Sequence, residues 1–211
     1  MPSVNYARVE RAALADLLAE VGPDHPTLCA GWTTRDLAAH VVVRDRRPDA
    51  AAGVVIPFLS GHMDRVRDAA ARRDFGLLVE QVRHPPALSM AGFGPTDRAT
   101  NTGEFFIHHE DVRRAAPGWS PRDLDPGLAA RLGSQARLLG RLRLRGFPAS
   151  LTISITGQPP VKTGKGGPVV RLSADPGEMT MFLSGRQGHA RVSVNGPEDL
   201  TDRLRRARLG I

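Results

Sequence analysis

Apolar residues recur at helical steps along the first two thirds of the chain. Val9, Ala13, Leu17, Leu18 and Val21 stand three or four residues apart or adjacent, which predicts an amphipathic helix from about Val4 to Val21, closed by Gly22-Pro23. The turn-like stretch DHPTLCAGW follows, and its apolar members Leu28, Cys29 and Trp32 are expected to tuck into the core. In Thr33-Thr34-Arg35-Asp36 a Thr precedes an acid by three residues, a capping-box start. Leu37, Ala38, Val41 and Val42 give the next helix its apolar side, with His40 in the same turn, up to about Pro48. A third helical region runs from about Ala50 to Gln81, interrupted near Pro57 and Gly61, and its buried side is Met63, Val66, Ala70, Leu77, Leu78 and Val82. Prolines and glycines between Pro85 and Thr100 predict a long irregular connection. A fourth helix, Thr100 to Ala116, opens at Asn101 or Thr102, and a fifth, about Pro126 to Arg145, carries Leu128, Leu132, Leu138, Leu139 and Leu142.

After Gly146 the period drops from about four to two. Leu151 to Ile155 alternates apolar and polar, and Val169 to Leu172 and Ala190 to Val194 are further strand candidates. The connection GQPPVKTGKGGP contains Lys162 and Lys165 but lacks the spacing of a phosphate-cradling loop, so it reads as a hairpin loop. Pro176 opens a short helix ending at Gly185, and Pro197 opens the last one, to about Arg208. The expected architecture is a mainly α helical bundle of four-helix-bundle type over residues 1–147, followed by a small α+β domain over 148–211.

The fourth helix carries the chemistry. Glu104 and His108 are four residues apart, so they emerge about 40° apart on one face, a chelating spacing. Val112, Phe105 and Ala115 share that arc, which makes it the inward one, and an acid and an imidazole pointing into a core need partners. A divalent cation satisfies both. The candidate third ligand is His40 on the second helix, against a plainer reading as a packed histidine hydrogen-bonded to a neighbouring helix. His109 falls at the edge of the arc and is the weaker ligand. Asp111 lies close to Glu104 around the helix, as an orienting group or an extra ligand. Two imidazoles and a carboxylate suit Zn²⁺, with Ni²⁺, Fe²⁺ and Mn²⁺ open on ligand type, and three protein ligands leave a position free for chemistry. Arg44, Arg113 and Arg114 flank these helices and are candidates to receive a carboxylate, against a plainer role on solvated faces. His62 and His84 read as surface residues.

The chain has 211 residues and a formal charge of +7, from 29 Lys plus Arg against 22 Asp plus Glu. The arginines are scattered along helical faces and aromatic residues are only 5%, which argues against a nucleic-acid partner. The single cysteine, Cys29, has no intramolecular disulfide partner, and no apolar run approaches the ~20 residues of a membrane span, so a soluble cytoplasmic protein is expected. Cys29 itself reads as a small buried hydrophobe within reach of the site. The oligomeric state is open between monomer and dimer.

The runs CAGWTTRDLAAHVVVRDRRP (Cys29 to Pro48) and NTGEFFIHHEDVRRA (Asn101 to Ala115) resemble the two signature segments of the mycothiol-dependent maleylpyruvate isomerase-like proteins, within the wider DinB-like metal-binding superfamily. A W-T-x-x-D-L-x-x-H helix and an E-x-x-x-H helix are similar to those of an actinobacterial metal-binding subfamily, as is the C-terminal run from Gly177. The resemblance implies a DinB-like helical bundle holding a divalent metal, zinc foremost, through His40, Glu104 and His108. It implies a sterol-carrier-like C-terminal domain. It also implies a transferase or isomerase in which the metal activates mycothiol, a low-molecular-weight thiol, towards an electrophilic small molecule. Two other readings are a non-catalytic metal-binding or sensing protein and a metal-dependent hydrolase.

Overall fold

The computed structural model describes residues 4–47, 60–86 and 101–210. Their contacts gather into two compact units, Met1–Trp119 and Ser120–Ile211. The first contains α1 (Tyr6–Val21), α2 (Thr34–Arg46), α3 (Ser60–Ala71), α4 (Phe75–Arg83) and α5 (Thr102–Arg113). The second contains α6 (Pro126–Arg143), β1 (Ser150–Ile155), β2 (Val161–Thr163), β3 (Val169–Ala174), α7 (Pro176–Leu183), β4 (Ser193–Asn195) and α8 (Glu198–Arg205). Residues 50–59 of the expected third helical region and most of the expected 85–100 connection lie outside the described residues.

In the first unit α1 packs on α4 and α5, and α2 packs on α3 and α4, around a core that includes Leu14, Leu18, Leu37, Val41, Leu78, Val82, Phe105 and Val112. The expected stripe on α1 holds at Leu18, with Leu17 and Val21 packed against the core, but not at Val9. Val9 is 50% exposed, and the inward face is Ala7, Leu14, Ala15 and Leu18 together with Glu10 and Arg11. Two charged residues are tolerated inside because each meets a partner. Glu10 Oε2 lies 3.2 Å from His109 Nδ1 on α5, and Arg11 Nη2 lies 2.7 Å from Asp45 Oδ2 on α2. Arg11 also donates to the carbonyl of Val82 at 2.7 Å, and its guanidinium lies over the Phe105 ring. The helix break expected near Gly61 falls elsewhere: Gly61 is inside α3, and the chain turns at residues 72–74, where the Asp74 side chain accepts from Leu77 N and starts α4.

The second unit is a four-stranded sheet of order β2-β1-β3-β4, with β1 and β3 parallel and both outer pairs antiparallel. Leu151, Ile153, Ile155, Val161, Val170 and Leu172 are buried, whereas Ser154, Arg171 and Ser173 are exposed, so the sheet buries one face. α6 packs against α7, β1 and β2. The connection expected to be a hairpin loop contains β2 itself, and it joins two parallel strands. The strand expected over Ala190 to Val194 is β4, Ser193–Asn195, which begins three residues later than that run.

α6 groups with the sheet in the second unit, Ser120–Ile211. Its buried line is Leu128, Leu132, Gly133, Ala136 and Gly140, while Leu138 and Leu142 are 58% and 51% exposed. The two glycines mark close approach, where a larger residue would make a neighbouring side chain shift. A Cβ on Gly140 would stand 2.7 Å from Ile153 Cδ1, and one on Gly133 2.8 Å from Gln158 Cγ. Among the described residues no helix is long and apolar enough to cross a membrane.

Candidate metal centre

His40 is presented by α2. Thr33 N and Oγ1 both donate to Asp36 Oδ2, at 2.9 and 3.0 Å, which fixes where that helix begins, and His40 follows two turns in. Glu104 and His108 come from α5, one turn apart as their spacing requires. His108 Nε2 lies 3.2 Å from Glu104 Oε1, and His40 Nε2 lies 3.8 Å from the same oxygen. The two imidazoles meet edge to face with centroids 5.3 Å apart, and the Trp32 ring lies 5.2 Å from that of His40. One ligand atom from each of His40, Glu104 and His108 falls within 4.8 Å of the other two.

The surroundings favour these side chains as ligands. Asp111, fully buried, has Oδ2 3.1 Å from His108 Nδ1, while Nε2 faces Glu104 Oε1 at 3.2 Å, so a cation taking Nε2 would leave the ring proton on Nδ1, held by Asp111. His40 is only 8% exposed, and its Nδ1 has no hydrogen-bond partner among the described residues. The nitrogen that faces the carboxylate is Nε2, 3.8 Å from Glu104 Oε1, and it is the one a bound cation would use. Arg44 donates to Glu104 Oε1 at 2.8 Å and to Asn101 Oδ1 at 3.0 Å, holding the carboxylate in place. Glu104 keeps 33% of its side chain exposed, which leaves an approach to the site.

Electrostatics sort the three groups. Burial pushes the His40 pKa down, more than the hydrogen bond to Glu104 raises it. Burial acts to raise the Glu104 carboxyl, yet the hydrogen bonds from His108 and His40 and the charges of His108 and Arg44 hold it well below the usual range. His108 is also opposed by burial, and its hydrogen bonds to Asp111, Cys29 and Glu104 together with the Glu104 charge lift it well above an ordinary histidine. In the metal-free site burial thus favours the neutral form of His40, while the neighbouring groups favour the ionised form of Glu104 and the charged form of His108.

The remaining expected residues separate clearly. His109 turns away to Glu10, and His84 is exposed near Glu80. The solvated-face reading fails for Arg114, which is buried, pairs with Glu110 at 2.6 Å and stacks over Trp119; Arg113 also meets Glu110, at 2.8 Å. Cys29 is more than a packing residue: its thiol donates to Asp111 Oδ2 at 3.3 Å. Its loop is fastened by Leu28 N donating to the Asp111 carbonyl at 3.0 Å and by a turn at Gly31, whose φ of +76° suits glycine. These partners are far apart in sequence, and only the presence of Cys29 beside the W-T motif hinted at them.

No sequence-family model and no curated protein matches the chain. The fold does have counterparts. The crystal structure of a mycothiol-dependent maleylpyruvate isomerase aligns over 90% of this chain and 90% of its own, with a TM-score of 0.61 at 16% identity. A histidine-to-alanine mutant of that isomerase aligns over the same shares with a TM-score of 0.63 at 15% identity. The chain that presents His40, Glu104 and His108 together thus has the fold of the mycothiol-dependent maleylpyruvate isomerases.

Proposed function

We propose that this protein holds a divalent metal ion through His40, Glu104 and His108 and catalyses a thiol-dependent transfer or isomerisation, with mycothiol as the thiol and an electrophilic small molecule as substrate. The observation that carries this reading is the convergence of the three ligand atoms within 4.8 Å, with His108 turned by Asp111 so that Nε2 faces the other two. The fold shared with the isomerase supports the thiol-dependent part. Two imidazoles and one carboxylate favour zinc among the common divalent ions.

When bound, such an ion supplies Lewis acidity, lowering the pKa of a thiol so that it is nucleophilic at neutral pH. The protein's own groups prepare for it. His40 offers a neutral imidazole, and Asp111 keeps the His108 proton on Nδ1. Arg44 orients Glu104 and places a positive charge beside the site, which suits a carboxylate-bearing substrate or thiol. In this reading the first unit is a DinB-like bundle, the second is sterol-carrier-like, and the reaction runs in the cytoplasm.

The test is elemental analysis of the purified protein, repeated on Glu104→Ala and His108→Ala, and then a screen of electrophiles with mycothiol. The expected result is one zinc-like ion in the wild type, its loss in both variants, and turnover that needs metal and thiol together. A wild type that takes up no metal with all ligands intact would overturn the reading. Turnover without thiol would indicate a hydrolase, and metal without any turnover a binding or sensing role.

A further inference from the structure

His108 has a second side. Its Nδ1 lies 3.1 Å from Asp111 Oδ2, and the same oxygen accepts from Cys29 Sγ at 3.3 Å. One ligand atom each from Cys29, His108 and Asp111 falls within 4.8 Å of the others, a spread that bonds of about 2.0–2.3 Å to a shared ion can span. This donor set differs in kind from the first, because a thiol replaces an imidazole and makes it softer. Asp111 is fully buried and His108 nearly so, whereas Cys29 is partly exposed, so entry is from the cysteine side. The thiol is held there: Cys29 N donates to Thr27 Oγ1 at 3.2 Å, and Trp32 N donates to the Cys29 carbonyl at 2.9 Å.

We propose that Cys29, Asp111 and His108 Nδ1 form a second cation site, selective for a thiophilic ion such as Cd²⁺ or surplus Zn²⁺, which shares His108 with the His40–Glu104–His108 site. Entry of the ion releases two protons, one from the Cys29 thiol and one from His108 Nδ1, and the two lone pairs so freed bind it together with the Asp111 carboxylate. With both sites filled, the imidazole bridges two ions. Filling the second site also takes Asp111 away from its hydrogen bond to His108, so a soft metal bound there alters the first site without displacing any of its ligands.

The inference uses the same histidine as the proposed catalytic site, and the experiment separates the two. The metal-free full-length chain is titrated with Cd²⁺ alone, without added thiol. Bound metal is counted by equilibrium dialysis, and sulfur-to-cadmium charge transfer is followed by ultraviolet difference absorption. Cys29 is the chain's one cysteine, so a sulfur band reports that residue and no other. The expected result is two equivalents bound, one of them with the sulfur band. Cys29→Ser binds one equivalent fewer, and Glu104→Ala also binds one fewer but keeps the band. Absence of the band at saturating Cd²⁺, equal stoichiometry in Cys29→Ser and wild type, or loss of the band in Glu104→Ala would each overturn the second site. A single equivalent that carries the band and survives Glu104→Ala would support this site and refute the first.

Discussion

Replacing Asp111 by Asn is the most direct test of how the first site is built. The change keeps the shape of the side chain but removes its charge, at a position with no solvent exposure and 3.1 Å from His108 Nδ1. Water cannot take over there. Charge-assisted hydrogen bonds are roughly twice as strong as neutral ones, so the imidazole loses basicity and part of its orientation even if the Asn oxygen turns towards it. Removal of such supporting partners weakens metal binding about 10- to 100-fold, or about 1.4–2.7 kcal/mol. The lower end applies if the amide oxygen faces His108, and the upper end if the amide nitrogen does and leaves two donors opposed. Zinc affinity is measured by competition with a chromophoric chelator at fixed pH, with a thermal melt of the metal-free protein as the control for folding. Zinc affinity within ~3-fold of wild type, about half a decade, in a normally folded variant would refute the supporting role of Asp111.

Further outcomes follow from the same geometry. With His108 raised well above its ordinary value, a cation has to displace its proton, so zinc affinity should keep climbing as pH rises above about 7, and a flat profile there contradicts the protonated His108. For the metal-free protein the linkage runs both ways: the His108 contribution to stability is complete below the unfolded histidine pKa and is lost as pH rises through the folded value. The Glu104 contribution is present above the unfolded carboxyl pKa and is lost as pH falls through the folded value, so melts across pH should decline at both ends. Glu110→Ala leaves Arg114 buried without its 2.6 Å partner and should cost about 3–5 kcal/mol in denaturant unfolding, far more than a surface ion pair. Gly140→Ala puts a methyl 2.7 Å from Ile153 Cδ1 and should destabilise by about 1–3 kcal/mol; an unchanged melt would show that α6 can lift from the sheet freely.

The two ligand helices were readable from sequence because their signals are local. A capping box precedes His40, and one helical turn separates Glu104 from His108; the structure brings all three together. The α1 pattern was legible at Leu17, Leu18 and Val21 but missed Glu10 and Arg11 on the buried face, for the opposite reason. Glu10 and Arg11 count as polar in any periodicity, and their burial depends on His109 and Asp45, which lie far along the chain. In α6 Leu128 and Leu132 lie on the buried line as their spacing implies, but Leu138 and Leu142 do not, since the later turns of the helix face Ile153 with Gly140. β2 is only three residues long among glycines and prolines, so its pairing with β1 left no alternation to detect. The contact from Cys29 to Asp111 spans 82 positions, and nothing local encodes it.

α1 carries none of the proposed ligands of the first site, yet it is keyed to both helices that carry them. Adjacent residues on a single turn reach in two directions, Glu10 to the neighbour of His108 in sequence and Arg11 to Asp45, five residues beyond His40. Buried charged pairs of this sort add little net stability but penalise any slip of one helix along another. α1 therefore acts as a jig: a one-residue shift of either ligand helix would strand a charge before it could spoil the ligand spacing. It follows that α2 and α5 grafted into another bundle without this third helix would carry the full set of ligands and none of the mechanism that sets the distance between them.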